Sequence, residues 1–249
     1  MDIKLLSYNI QSWDLNDRRI NGIIDLIKRH NPDVICFQEV TVKWFSILTK
    51  EFSNTYAFCG RDRHYGEKDV IEWKKERNCV LFKRDRFTKL YSHTYWYGDD
   101  LYHPCLTEGA EHKRVFTCVG LKDKDDKVFE LISTHFEHSN PKSREIQASI
   151  LVNYLNNNKH TIVLAGDFNS GMDEAAYDMV SHTLIDIGKE FNETNITYHA
   201  YGKDKVKRID YIFRSSGATP KQFQLVKDEY EGLPPSDHYP VECVFQIDF

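Results

Sequence analysis

Short apolar runs recur along this chain, and several of them end in a polar cluster where a turn residue would be usual. Residues 3–8, 34–37, 78–82, 116–119, 129–133, 161–165, 209–213 and 241–247 are runs of strand length dominated by Val, Ile, Leu and Phe, the pattern of buried strands. Three intervening segments carry helical spacing instead. Ile20, Ile23, Ile24 and Ile27 form an apolar stripe behind Asn16 or Asp17, either of which can cap a helix, and Asn31-Pro32-Asp33 ends it. Trp44, Phe45, Ile47 and Leu48 follow a second cap, Thr41. Ile146, Ile150, Leu151 and Tyr154 mark a third helix over 143–156. The runs at 116–119 and 129–133 flank the charged turn 122–127 and predict a hairpin. Hairpins mixed with strand–helix alternation predict an α/β fold, two sheets packed face to face with helices outside. Residues 60–77 and 92–114 are polar, irregular and studded with aromatics, and are expected as loops over the site.

No stretch rich in Pro, Gly or Ser interrupts the chain, and its polar clusters run from Asn9 to His238, so residues 1–249 are expected to form one domain. A 41% apolar and 13% aromatic content is enough for a sizeable core. With 33 basic against 38 acidic residues the net charge is −5, which gives no general attraction for nucleic acid, although a carboxylate-lined metal site would account for part of it. Met1-Asp2-Ile3-Lys4 does not start an export signal, and no apolar run approaches membrane-spanning length. A cytoplasmic protein without membrane attachment, and a monomer, is the expectation. Cys36, Cys59, Cys79, Cys105, Cys118 and Cys243 show no paired spacing, and four of them sit inside strand-like runs. Reduced thiols are expected rather than a disulfide framework or a zinc site.

The polar clusters at the strand ends carry the chemistry. They are Ser7-Tyr8-Asn9, Phe37-Gln38-Glu39-Val40, Gly166-Asp167-Phe168-Asn169 and Ser236-Asp237-His238-Tyr239-Pro240-Val241. Repetition at strand ends is how several strands converge on one site. Glu39, Asp167, Asn169, Asp210 and Asp237 are oxygen ligands or water positioners that suit Mg²⁺, Mn²⁺ or Ca²⁺ better than zinc. His135 follows another apolar run, and His238 adjoins Asp237. Carboxylates with two histidines and an asparagine suit attack on a phosphoester, where cations and donors offset charge growing on phosphorus. A glycosidase, the alternative use of paired carboxylates, leaves the histidines and asparagines unexplained.

Asn9, Gln38-Glu39, Thr134-His135, Gly166-Asp167-Phe168-Asn169, Arg208-Ile209-Asp210-Tyr211 and Ser236-Asp237-His238 resemble, in order, the motif set of the endonuclease/exonuclease/phosphatase superfamily, the deoxyribonuclease-I-like fold. The resemblance spans nearly the whole chain and implies a four-layered α/β sandwich of two mixed sheets, with the site where the strand ends open. It implies Glu39 as the principal metal ligand, with Asn9 and Asp237 beside it. Asp167 and Asn169 would hold the attacking water and the phosphate. His238, oriented by Asp210, would bind phosphate or serve as general acid or base. Lys75-Glu76-Arg77-Asn78 is similar to the deoxyribonuclease stretch that holds a catalytic glutamate, which implies Glu76 as the partner of His135. Arg144, opening the third helix, is a candidate for a phosphate contact or a surface salt bridge. His199 is a candidate substrate contact, and Lys203, Lys205, Lys207 and Arg208 form either a solvated loop or a phosphate rim.

Fold does not settle substrate. The expectation is a divalent-metal-dependent phosphodiesterase of nuclease type, with nucleic acid as a candidate partner. The alternatives are a phosphatase or phosphodiesterase for a small phosphorylated metabolite or lipid headgroup, and an inactive binding protein. Lys74 stands where deoxyribonuclease carries a tyrosine two residues before its catalytic glutamate, which counts against minor-groove DNA binding. A long open groove would favour a polymer, and a closed aromatic pocket a small substrate.

Overall fold

Alternation along the strands sorts the side chains into layers. The computed structural model of the protein describes residues 1–202 and 206–248. In chain order its elements are β1 (Ile3–Asn9), α1 (Asp17–His30), β2 (Val34–Val40), α2 (Val42–Phe52), β3 (Tyr56–Cys59), β4 (Arg77–Lys83), β5 (Phe87–Trp96), β6 (Val115–Asp123), β7 (Val128–His135), α3 (Pro141–Asn156), β8 (Thr161–Asp167), α4 (Ala175–Ser181), β9 (Ile185–Asp186), α5 (Ile187–Glu190), β10 (Asp210–Arg214), β11 (Ala218–Leu225) and β12 (Val241–Ile247). They build two six-stranded sheets, ordered β11-β12-β1-β2-β4-β3 and β5-β6-β7-β8-β10-β9. Both are mixed: β1 runs parallel to β2 and β7 parallel to β8, while the other pairs are antiparallel.

Ile3, Leu5, Val34, Cys36, Phe129, Leu131, Val163, Ala165, Ile212 and Cys243 pack between the sheets. The residues that alternate with them face outward. Leu6, Tyr8, Ile35 and Phe37 pack with Ile23, Leu26 and Ile27 of α1 and Trp44 and Leu48 of α2. Ile132, Leu164 and Phe213 pack with Ala148 and Leu151 of α3 and Tyr177 of α4. Helices therefore cover the outer face of each sheet, and the four-layered sandwich stands. The caps behave as read: Asn16 accepts from Arg19 N, Thr41 from Trp44 N, and Asn31 closes α1 in the left-handed region. The third helix starts two residues earlier than expected, because Pro141 takes the first turn behind the cap Asn140. All six cysteines are free. Among the described residues no helix is long and apolar enough to cross a membrane.

The four strands that the hydrophobic pattern missed, β3, β5, β9 and β11, are the four edge strands. An edge strand buries less, so its pattern is diluted. β11, Ala-Thr-Pro-Lys-Gln-Phe-Gln-Leu, carries a proline and is half solvated. Residues 92–96 were expected as loop and are the end of β5. The short α4 and α5 also escaped the periodicity reading.

Two features fix the end of the sandwich where the polar residues collect. Arg19 on α1 is 1% exposed. Its guanidinium donates to the carbonyls of Ile10, Gln11, Trp13, Asp14 and Pro235, which pins the loop after β1 to the loop before β12. Gly166 is paired with Thr134 across β8 and β7, and a Cβ built on it would lie 2.0 Å from the Thr134 carbonyl oxygen. Only glycine permits that approach. Gly166→Ala is therefore expected to force β7 and β8 apart and to cost about 1–3 kcal/mol, the range for overpacked cores. Chemical denaturation measures this, and an unchanged midpoint would show that the two strands yield freely.

Candidate active site

The alternation that fills the sheet interface with apolar residues also delivers polar ones at one end of it. Continuing the inward positions, Ile3 and Leu5 lead to Ser7 and Asn9. Phe129 and Leu131 lead to Ser133 and His135, and Val163 and Ala165 lead to Asp167. On β10, which runs antiparallel to β8, Asp210 precedes Ile212 by the same two-residue step. Register then makes them neighbours: Asp167 is level with His135 on one side and with Asp210 on the other. Glu39 breaks the alternation. The β2–β4 pairing gains one residue between Phe37 and Val40, and Glu39 has φ +62°. A bulge with a left-handed, non-glycine residue re-aims a side chain at a local conformational cost. Here the carboxylate is held by Asn9 Nδ2 (3.0 Å) and Ser12 N (2.7 Å).

Asn9 is the hub of the cluster. Its Nδ2 donates to Glu39 Oε1 and, at 2.9 Å, to Asp167 Oδ2, while its Oδ1 accepts from Gln11 N at 3.0 Å. Gln11 extends the network, donating to Asp237 Oδ2 (2.9 Å) and accepting from the Tyr201 hydroxyl (3.0 Å). Ser236 Oγ donates to the Asn9 carbonyl at 2.7 Å and so ties the β12 loop to β1. Burial raises the Glu39 carboxyl, but the bonds from Asn9 and Ser12 and the charges of His238 and Arg114 outweigh it, leaving it below its ordinary range. Asp237 goes the other way, raised by burial and by the nearby Glu39 charge against the pull of His238.

Asp210 Oδ2 lies 2.8 Å from His238 Nδ1, and Asp210 N and Ile209 N both donate to Thr197 Oγ1 at 3.0 Å. Burial alone would lower the His238 imidazole. The charge and hydrogen bond of Asp210, with Asp167 and Asp237, overcome it and raise the ring to about 10. Asp167 is raised well above the carboxylate range by burial and by Asp210. One ligand atom from each of Asp167, Asp210 and His238 lies within 4.8 Å of the others; His238 Nδ1 bonds Asp210 and its Nε2 lies 3.7 Å from Asp167 Oδ2, an arrangement suited to proton transfer. His135 differs from His238. Its Nε2 is 3.0 Å from the Asn169 carboxamide nitrogen and its Nδ1 3.1 Å from Arg114 Nη1. Burial, then Arg114 and His238, push it well below its ordinary value, so it stands as a neutral imidazole beside a charged one.

A cavity of about 800 Å³ opens over this floor and is lined by Glu39, Asp167, Asn169, Asp237, His135 and His238. Not every candidate takes its expected place. Glu76 does line the cavity, but its carboxylate pairs with Arg63 at 2.8 Å, and no bond joins it to His135, whose neighbours are Arg114, Asn169 and Asp167. The expected Glu76–His135 pair is therefore absent, because Arg114 fills the place beside the imidazole. Arg144 is buried and lines the cavity, bound to Glu174 at 2.5 Å and to the carbonyls of Glu137 and His138. It is an internal ion pair at the wall, not a surface one. His199 does not line the cavity. It stacks on Tyr239 with ring centroids 4.1 Å apart, its backbone N–H reaches the Asp237 carbonyl, and it supports the loop from behind. Lys207 pairs with Glu174 at 3.5 Å and Arg208 with Asp186 at 3.0 Å, while Lys203 and Lys205 lie outside the described residues. The sequence reading passed over Arg63, Arg114, Trp13 and Trp73, all on the cavity wall. Arg114 immediately precedes β6 and its apolar run, a position of the same kind as the polar strand ends. Arg63, Trp13 and Trp73 sit in irregular segments with no comparable signal.

Comparisons with known proteins place the chain in a family and agree with its fold. The family model described as "Endonuclease/Exonuclease/phosphatase family" matches residues 6–238. Among solved structures, an endonuclease/exonuclease/phosphatase from Bacteroides vulgatus superposes with a TM-score of 0.88 at 22% identity over 100% of both chains. A mannosyl-6-phosphatase from Bacteroides thetaiotaomicron does so with a TM-score of 0.87 at 21% identity, over 98% of this chain and 100% of that one. At such identities the likeness carries the fold alone. The CCR4-Not complex 3'-5'-exoribonuclease subunit Ccr4 of Candida albicans is 25% identical over 95% of this chain, which spans only 38% of that protein's length.

The Asp210–His238 pair gives a direct expectation. In Asp210→Asn the charge that holds the imidazolium is gone while burial remains, so the His238 pKa should fall by about 1–3 pH units from the wild-type position. A ¹⁵N-imidazole NMR titration in EDTA reads it, and an unmoved His238 titration would remove Asp210 from its role.

Proposed function

The chain belongs to the endonuclease/exonuclease/phosphatase family, and from that premise we propose that it is a divalent-metal-dependent phosphodiesterase of nuclease type. The observation that carries the reading is the meeting, at one cavity, of the lining carboxylates Glu39 and Asp237, a charged His238 and an Asp167–Asn169–His135 group, with Asn9 and Asp210 bonded to them from behind. The donors fit a hard cation. Glu39 and Asp237 offer carboxylate oxygens, while Asn9 turns its Nδ2 to Glu39 and uses its Oδ1 on Gln11 N, and burial together with the Glu39 charge raises Asp237. A bound Mg²⁺, Mn²⁺ or Ca²⁺ would offset the negative charge on the phosphoryl oxygens. The residues supply the rest. Asp167, with its raised affinity for a proton, is suited to take one from the attacking water. The Asn169 carboxamide, bonded through Nδ2 to His135 and to the Phe136 carbonyl, fixes the neutral His135 beside the phosphate. The His238 imidazolium, kept charged by Asp210, donates toward the phosphate and can protonate the leaving oxygen.

The diester reading draws on the aromatic wall. Trp13 and Trp73 line the cavity and are 66% and 59% exposed; Trp13 offers a ring on which a base can stack, while Lys74 Nζ lies 5.3 Å from the centre of the Trp73 ring. The activity named for the Ccr4 relatives, a 3'-5'-exoribonuclease, belongs to the same reaction class. A second reading, a phosphatase for a small substrate, is favoured by the cavity volume of about 800 Å³, which falls within the roughly 300–1,000 Å³ usual for small-ligand sites.

Glu39→Gln should lower turnover at least about a hundredfold, since charge stabilisation by a metal is worth several kcal/mol, and excess EDTA should abolish the activity of the wild type. Full turnover in EDTA would end the metal-dependent reading. To separate the two substrate classes, a model phosphodiester and the matching phosphomonoester are made to compete in Mg²⁺. Preference for the diester, with cleavage of single-stranded RNA or DNA, is the expected result. Strong preference for the monoester, with nucleic acid left intact, would move the protein to the small-substrate class.

A further inference from the structure

Beyond His135 the cavity wall changes character. Arg114, 5% exposed, reaches two imidazoles at once, with Nη1 3.1 Å from His135 Nδ1 and Nη2 3.2 Å from His138 Nδ1. His138 in turn stacks on His112, ring centroids 5.5 Å apart and planes inclined by 19°. Arg63, His112, Arg114 and His138 all line the same cavity as the catalytic floor. The cavity thus continues from the phosphate-facing pair His135–Asn169, across one guanidinium, into a corner built of cationic and N–H-bearing groups.

The acids around this corner are already engaged. Glu76 is bound to Arg63 at 2.8 Å. Glu137, buried, lies 3.5 Å from Arg114 Nε and 2.9 Å from His138 Nδ1. Glu111, 3.7 Å from His138 Nε2, is largely solvated. The His112 ring makes no hydrogen bond with any described residue, so its N–H is free to donate into the cavity. Burial, then Arg63 and Arg114, hold it near 4. The two guanidinium charges are offset by Glu76 and Glu137, so an arriving anion would meet the N–H groups that those ion pairs leave over and would take up a proton on the His112 ring.

Glu111, His112 and His138 could in principle ligate a transition metal, since one atom of each lies within 4.8 Å of the others. Arg114 at 3.2 Å from His138 argues against it, because a second cation in that corner would sit against a fixed guanidinium. The same guanidinium favours an anion.

We infer that Arg63, His112, Arg114 and His138 form a second anion subsite beside the reacting phosphate, so that the preferred substrate carries a second phosphate group next to the scissile one. The inference rests on the phosphoester-hydrolase reading and narrows it. Two sources offer that chemistry, the neighbouring phosphate of a nucleic acid strand and the second phosphate of a small bisphosphorylated molecule. Arg114, shared between the two subsites, would register the substrate along the cavity, which is a specificity role and not a part in bond breaking.

Two substrate pairs test it in Mg²⁺: a dinucleotide with and without a 5'-phosphate, and propane-1,3-diol bisphosphate against its monophosphate. For at least one pair the doubly phosphorylated member should have a kcat/KM about tenfold higher or more, as expected for two or more charge-assisted hydrogen bonds. The pair that shows the preference identifies the source. His112→Ala and His138→Gln, neither at a fully buried position, should bring the ratio toward one. Calorimetric titration of the same pairs in EDTA reads the preference without turnover. If none of the four compounds is hydrolysed, the hydrolase reading fails while the binding ratio still decides the subsite. A ratio near one for both pairs in the wild type, or a preference unaltered by His112→Ala and His138→Gln, overturns the inference. Tight Zn²⁺ binding that is lost in His112→Ala, without any phosphate preference, would assign the corner to a metal instead.

Discussion

One carboxamide holds the two halves of the molecule in register where the chemistry lies. Asn9, on the first sheet, donates one N–H to Glu39 on its own sheet and the other to Asp167 on the opposite sheet. Two buried carboxylates at this range repel, and the repulsion grows as water is excluded. The amide sets the distance at which they are held. A hydrocarbon of the same size could fill the space but would take one hydrogen bond from each carboxylate, leaving Glu39 with Ser12 N and Asp167 with Asn169 N, and hydrogen bonds to charged groups are worth about 1.5–3 kcal/mol each. Asn9 can play this part because it is the last inward residue of a strand whose first inward residues, Ile3 and Leu5, are apolar and lie in the core between the sheets.

The sandwich therefore has a dry end and a polar end, made by the same strands. Toward one end the inward positions are Val, Ile, Leu and Phe, and toward the other they become Asn9, His135, Asp167 and Asp210. A slip of one residue in any of these strands would lose the core and the site together, since alternation flips every side chain at once. The polar end is where local rules are broken. Glu39 and Asn169 both have positive φ, Gly166 allows a backbone approach that no side chain could share, and an uncommonly placed arginine stands beside a neutral imidazole. Deviations of this kind collect at functional sites because the surrounding packing over-determines them.

How much of this was legible in the sequence follows from burial. The eight inner strands announced themselves as apolar runs, while the four edges, β3, β5, β9 and β11, did not, because a strand paired on one side and partly solvated has no strong pattern. Asn9, Asp167, His135 and Asp210 were readable because each ends or begins a buried run. Glu39 was readable by position, but the bulge that turns it inward was not. The Asp210–His238 pairing was implied by resemblance and is made in the structure. The Glu76–His135 pairing came from the same source and is not, since the expectation carried no knowledge of Arg63 and Arg114, two cations whose partners lie far away in sequence. His199, a histidine between tyrosines, was a candidate substrate contact, and the structure packs its ring on Tyr239 outside the cavity lining.

Arg19 has a bearing on how this protein can move. Its guanidinium grips carbonyls on both the loop after β1 and the loop before β12. The first of these loops carries Gln11, Ser12 and Trp13, and the second leads into Asp237 and His238. Neither can fray alone without stripping partners from a buried cation. The two loops should open and close as one body hinged on the first turn of α1, so that the wall bearing Trp13 and the residues Asp237 and His238 share a single breathing mode. Amide exchange in both loops would then follow one common opening, and the floor of the cavity would keep its shape until that whole unit lets go.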